Sequence, residues 1–336
     1  MFRLDHYQQH WRFIDFKINS LLIKYKIPFA YLLGRGIKSS FGFDDNYIIK
    51  FQKPIFTITV NSVDIKFDEY VYFPSYKKPD DICRRDIIPT IHVPYKSRKI
   101  FIATLNKYEK LMDDVMLIIS FIFYHKIDWY GYRADLWDKK DKLHEFLEYK
   151  DYNKDIGDDY LFEDKYCEFE NYFKGEIVSD LISKYLLKSI SKRNKIKNFI
   201  NELLLIKKNV IYKSRFISSL FLLEAISKHF VEEHKINYDW KDKSKYQERI
   251  KAVIKYLKIP YKEVNFVYSN TKTKSGTKLW IITDYRNQIA HSDIKDNFSL
   301  QKSVKEYIKV MELIRKLIFV SIEPEHKDIP YPENKF

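Results

Sequence analysis

Apolar positions recur at two different spacings along this chain, and the change between them divides it. From about residue 47 to residue 103 the pattern approaches alternation. Ile55-Phe56-Thr57-Ile58-Thr59-Val60 and Val63-Asp64-Ile65-Lys66-Phe67 are β-branched and aromatic, with Asn61-Ser62 as a tight turn between them. Tyr70-Val71-Tyr72-Phe73 and Ile100-Phe101-Ile102-Ala103 extend the strand-rich block, and Lys77-Lys78-Pro79-Asp80-Asp81 reads as a loop. Together these predict a β-sandwich or a curved antiparallel sheet. Leu111, Val115, Ile118 and Ile122 then mark one stripe of a helix over 105–125. The run Ile127-Asp128-Trp129-Tyr130-Gly131-Tyr132-Arg133 predicts another strand, whose aromatics cover the sheet or stack on bases. Residues 5–25 have a helical pattern without a clean cap.

Residues 138–165 are dense in charge and predict a linker or loop. Beyond them the spacing becomes helical, with helices expected over 176–190, 192–206, 210–234, 243–257, 275–292 and 299–321. The last carries Val304, Ile308, Met311, Ile314 and Ile318 on one stripe and stops before Pro324. The helix over 210–234 presents Phe216, Leu220, Leu223 and Phe230, with Glu224 at the stripe's edge. The expected class is therefore α+β. A β-rich domain over 1–165, with a helix and a charged linker at its end, precedes an all-α domain over 166–325 and a tail over 326–336.

Composition narrows the functional classes. Among 336 residues, 7 glycines and 10 prolines argue against a glycine-rich nucleotide fold, and 45% hydrophobic residues supply a sizeable core. Gly34-Arg35-Gly36-Ile37-Lys38-Ser39-Ser40 fails the Walker pattern, which needs Lys directly after the last Gly. Cys83 and Cys167 form no CxxC, and His6 and His10 lack a third ligand, so no metal site is indicated. No signal peptide is recognisable, and the apolar run Val115–Tyr124 is too short to span a bilayer, so a cytoplasmic chain off the membrane is expected. The net charge of +14 attracts polyanions, and 27 tyrosines and 25 phenylalanines can stack on unpaired bases. An AT-rich coding sequence produces the same bias, so the charge permits RNA binding without establishing it.

The densest chemistry lies in Asp284-Tyr285-Arg286-Asn287-Gln288-Ile289-Ala290-His291-Ser292-Asp293. A histidine can move protons to and from a 2′-hydroxyl and a leaving oxygen near neutral pH. An arginine can hold a phosphate oxygen with paired donors, and an asparagine can orient either group. Asn287 and His291 share a helical face, whereas Arg286 and His291 lie roughly 140° apart on an ideal helix. Two antiparallel copies about a two-fold axis would close such a site. Two basic clusters accompany it. Lys272, Lys274 and Lys278, just upstream, are the preferred RNA contacts; Lys188, Lys192, Arg193, Lys195 and Lys197 form the second.

The phrase Arg286-Asn287-x-x-x-His291, one helix from the end of a helical half, resembles the signature of HEPN-domain ribonucleases, most closely their ApeA-like, abortive-infection branch. The resemblance covers the C-terminal half and implies a HEPN helical bundle there. It implies a metal-independent endoribonuclease without cofactors, working as a homodimer through that domain and leaving 2′,3′-cyclic phosphate ends. The catalytic set implied is Arg286, Asn287 and His291, with Glu224 holding Arg286 or fixing the His291 tautomer. The implied role is phage defence or toxicity through cleavage of RNA such as tRNA, restrained by the N-terminal domain, a regulatory protein or a phage trigger. Two alternatives stand beside it: a non-catalytic HEPN module that binds RNA or a partner, and a regulatory subunit of a defence complex.

Overall fold

The computed structural model describes residues 18–26, 30–33, 48–50, 56–60, 62–72, 83–124, 126–129, 131–138, 143–150, 177–209, 211–238, 245–259, 270–272, 278–280, 283, 286 and 300–324. The chain divides into two compact units, Met1–Leu187 and Lys188–Phe336. Expected at 165/166, the division falls instead after the helix Ile177–Leu187, which packs with the N-terminal unit. The class is α+β: an antiparallel sheet plus six helices among the described residues.

Among the described residues the N-terminal unit holds eight strands in one sheet. They are β1 (Ile18–Lys26), β2 (Ala30–Leu33), β3 (Ile48–Lys50), β4 (Phe56–Val60), β5 (Val63–Tyr72), β6 (Cys83–Pro94), β7 (Gly131–Asp138) and β8 (Leu143–Lys150). The order is β3-β5-β6-β1-β7-β8, with β4 also on β5 and β2 also on β6. One flank of β5 belongs to β6, and the other is shared by β4 and β3. Every pairing is antiparallel.

The alternation seen in the sequence sets the register. Ile58 pairs with Ile65, Ile65 with Ile91, Ile91 with Ile23, Ile23 with Ala134, and Ala134 with Leu147. This single row crosses six of the eight strands, and all of its residues are buried. Their neighbours Thr59, Asp64, Lys66 and His92 are exposed, as a one-sided antiparallel sheet requires. A slip of one residue would put the row in water.

Helix α1 (Ile102–Phe123) follows β6. Trp129 Nε1 donates to Asp113 Oδ1 at 2.7 Å and the Tyr132 hydroxyl to Glu109 Oε1 at 2.9 Å, tying α1 to the aromatics around β7. Tyr25, Trp129 and Tyr132 form one buried cluster, so these rings cover the sheet. Burial pushes the Tyr25 and Tyr132 phenols up, so both stay neutral. Ser120 Oγ both donates to Ile127 O and accepts from Ile127 N, each at 2.8 Å, pinning the chain after α1. Helix α2 (Ile177–Leu187) is joined to β4 by Ser179 Oγ donating to Thr57 O at 3.1 Å.

Four expectations change in this unit. Residues 18–26, expected helical, are strand β1, because Leu21, Ile23 and Tyr25 alternate onto the buried face. Part of the expected linker is β8, which ends the strand order; charged residues are usual on an edge strand. Ile102-Ala103 opens α1 rather than extending a strand. The strand expected from Ile127 begins at Gly131.

In the C-terminal unit, α3 (Ile190–Lys208) and α4 (Tyr212–His234) precede α5 (Lys245–Tyr256), the short strands β9 (Asn270–Lys272) and β10 (Lys278–Trp280), and α6 (Leu300–Ile322). Helix α4 packs against α3, α5 and α6, burying Phe216, Leu220, Leu223 and Phe230. The unit is not all-α: β9 and β10 form an antiparallel hairpin, and Lys278–Trp280 is strand where a helix was expected from 275. The stretch from Thr271 alternates β-branched with polar residues through Ser275-Gly276, a hairpin composition. On α6, Met311, Ile314 and Ile318 are buried as expected, but Val304 is exposed.

Ile91 sits in the middle of the buried row. Ile91→Ala should cost about 2–5 kcal/mol, whereas His92→Ala, one residue on and exposed, should stay within about 0.5 kcal/mol. Urea unfolding of both variants measures the contrast.

Candidate functional site

Three elements of the C-terminal unit converge on one carboxylate. Helix α4 carries Glu224, four residues beyond buried Leu220 and one beyond Leu223, which places it at the border of the apolar stripe. Helix α5 carries Tyr246, Gln247 and Arg249. The helical residues Thr283 and Arg286 complete the group.

Arg286 Nε donates to Glu224 Oε2 at 3.3 Å, and Nη2 donates to Oε1 at 3.3 Å and to Oε2 at 3.1 Å. The carboxylate thus occupies one edge of the guanidinium fork in a side-on, charge-assisted pairing. Both side chains are about a quarter exposed, at 27% and 26%. Arg249 Nη1 lies 3.7 Å from the same Glu224 Oε1, with a side chain only 9% exposed. The Tyr246 ring lies 5.9 Å from Arg286 Cζ, within cation–π range. Burial pushes the Tyr246 phenol up, the Glu224 charge adds to this, and the two guanidinium groups oppose it, so the ring stays neutral. Below this layer Thr283 Oγ1 donates to Gln247 Oε1 at 3.3 Å, both residues buried.

The arrangement can hold an anion. Glu224 takes the Nε–Nη2 edge of Arg286, and among the described residues nothing takes Nη1. The Arg286 side chain is partly exposed, and an untaken guanidinium edge can hold a phosphate oxygen. Asn287 and His291 lie outside the described residues.

The structure therefore brings together Glu224 and Arg286 of the expected catalytic set. It adds Tyr246, Gln247, Arg249 and Thr283, which the sequence reading passed over. Arg249 carried a usable signal. It stands three residues from Tyr246 and four from Val253, a charge on the buried stripe of an amphipathic helix.

Of the expected RNA-binding lysines, Lys272 and Lys278 face each other across the β9–β10 register, and Lys274 lies outside the described residues.

The second basic cluster is partly committed internally. Lys192 Nζ lies 2.8 Å from Glu233 Oε1, and His229 Nε2 lies 3.1 Å from Glu233 Oε2. Burial, and then the Lys192 charge, lower the Lys188 amine below the usual lysine range. Lys195 remains exposed, and Lys197 is partly buried. Burial also pushes the His229 imidazole below 6.5, outweighing the pull of Glu233. At neutral pH the His229–Glu233 contact is therefore a hydrogen bond from a neutral ring rather than an ion pair.

The burial of this ring sets a pH dependence. The unfolded imidazole protonates near its ordinary value of about 6.5, while the folded one resists until lower pH. Its contribution is complete above that value and is lost as pH falls through the folded one. Melting temperature should drop between about pH 7.5 and about pH 5.5, and His229→Gln should flatten that drop.

Among the described residues no helix is long and apolar enough to cross a membrane. Compared with known proteins, the chain matches no family model, no curated protein and no solved structure.

Proposed function

We propose that the C-terminal unit is a HEPN-type endoribonuclease domain that cleaves RNA without a metal ion, and that the chain serves phage defence or acts as a toxin. The observation that carries this is a partly exposed arginine held side-on by a carboxylate, at the head of the phrase Arg286-Asn287-x-x-x-His291. The long α6 follows that segment, as the last helix follows the motif in the family the phrase resembles.

In this mechanism the RNA 2′-oxygen attacks the adjacent phosphorus and the 5′-oxygen of the next nucleotide leaves. The products are a 2′,3′-cyclic phosphate and a 5′-hydroxyl. His291 takes the 2′ proton or supplies one to the leaving oxygen. Arg286 stabilises the negative charge that builds on the non-bridging oxygens. Asn287 orients the phosphate, and Glu224 fixes the plane of the Arg286 guanidinium. On an ideal helix Arg286 and His291 would diverge by roughly 140°, so in this mechanism two copies of the chain complete the site across a two-fold axis. Lys272 and Lys278, paired across the hairpin a few residues upstream, and Lys274 between them contact the RNA backbone. tRNA is the structured target that the family resemblance favours.

Arg286→Ala and His291→Ala should each reduce RNA cleavage by roughly 10²–10³-fold, the scale of losing a charge-stabilising donor or a general acid–base group. Arg286→Lys should not restore it, because an ammonium cannot reproduce the two-edged fork. Sequencing of RNA ends after induced expression should show 5′-hydroxyl ends with the parent chain and none with His291→Ala. Equal cleavage by all these chains would remove the site.

A further inference from the structure

We propose that Arg249 sets the charge of a phosphodiester-binding site: by sharing Glu224, it keeps that carboxylate from neutralising Arg286. The proposal deepens the nuclease reading of Arg286 and rests on it.

The geometry is that of one anion between two cations. Both Glu224 oxygens accept from Arg286, and Oε1 also lies 3.7 Å from Arg249 Nη1. That Arg249 nitrogen is sealed from solvent and makes no hydrogen bond. A buried guanidinium is costly unless compensated, and half of a shared carboxylate is incomplete compensation. Two positive charges against one negative leave the trio with one positive charge. The Tyr246 phenol adds none, since burial keeps it protonated.

Within this trio the surplus charge is reachable at Arg286. Arg249 is enclosed, whereas Arg286 and Glu224 are each about a quarter exposed. An arriving oxyanion therefore meets the Arg286 edge that Glu224 leaves open. Without Arg249, Glu224 and Arg286 would form a neutral one-to-one pair with little left for a phosphate. Arg249 is thus a positioning residue that acts through Glu224 and need not touch RNA. The ligand class is a phosphodiester oxyanion within an RNA strand.

Counting charges gives an order of affinities that a packing role would not produce. The probe is a fluorescent 2′-O-methyl RNA oligonucleotide, which binds but cannot be cut because its 2′-oxygen is blocked. Titrated with the full chain by anisotropy, Arg249→Met should bind about tenfold more weakly and Glu224→Gln about tenfold more tightly, the effect of one unit charge a few ångströms away in a half-exposed site. The double variant restores the surplus of one and should return close to the parent affinity. Arg249→Lys should hold it. If Arg249→Met does not fold, as its melting curve would show, Glu224→Gln and Arg249→Lys decide alone. A double variant as weak as Arg249→Met, a Glu224→Gln chain no tighter than the parent, or no saturable binding by the parent chain overturns the proposal. Cleavage of unmodified RNA is scored separately: a parent chain that binds in this order yet never cuts defeats the nuclease reading and leaves the charge sharing standing.

Discussion

A single partly exposed carboxylate, Glu224, answers to two guanidinium groups at once, and much of the C-terminal unit is arranged around that demand. Helix α4 supplies the carboxylate from the border of its buried stripe. Helix α5 supplies one cation from within its own buried stripe, and the segment containing Thr283 and Arg286 supplies the other. A buried charge without a partner would be expensive, so the three segments cannot shift independently without exposing or stranding one. The Thr283–Gln247 hydrogen bond and the Tyr246 ring fix the same meeting from the buried side. This is how a polar cluster comes to be held at the rim of an otherwise apolar helical core.

The N-terminal unit is organised by a different constraint. Its row from Ile58 through Ile65, Ile91, Ile23 and Ala134 to Leu147 is a packing ladder, with no net charge to satisfy. Register there is enforced by the cost of turning the row towards water. Aromatic rings joined by hydrogen bonds to Glu109 and Asp113 attach α1 to that sheet.

The cationic surplus of the chain is unevenly committed. Lys192 is joined to Glu233, and Lys188 is disfavoured as a cation by burial. The hairpin instead places Lys272 opposite Lys278 in register. A composition-level excess therefore says little until it is known which lysines have internal partners. For the proposed RNA path, the hairpin and the open edge of Arg286 matter more than the total of +14.

Much of the fold was legible in the chain alone. Alternation over Ile55–Phe67 predicted β4 and β5, and helical spacing predicted α1, α3, α4 and α6 to within a few residues. Those patterns are local, because a strand or helix that buries one face must repeat at its own period. The motif at Arg286 and the border position of Glu224 were equally visible. Other features were not local. β1 read as a helix and β8 as a linker, since only their strand partners give those residues a buried face or an edge position. The hairpin at Lys272–Lys278 broke an apparent helix. Sequence alone determined which residue types were present to do chemistry and which faces were apolar. Tertiary structure alone decided that Arg249, 25 positions from Glu224 in the numbering, shares that carboxylate with Arg286. Charge pairing depends on distance in space, and local periodicity does not encode that distance between separate helices.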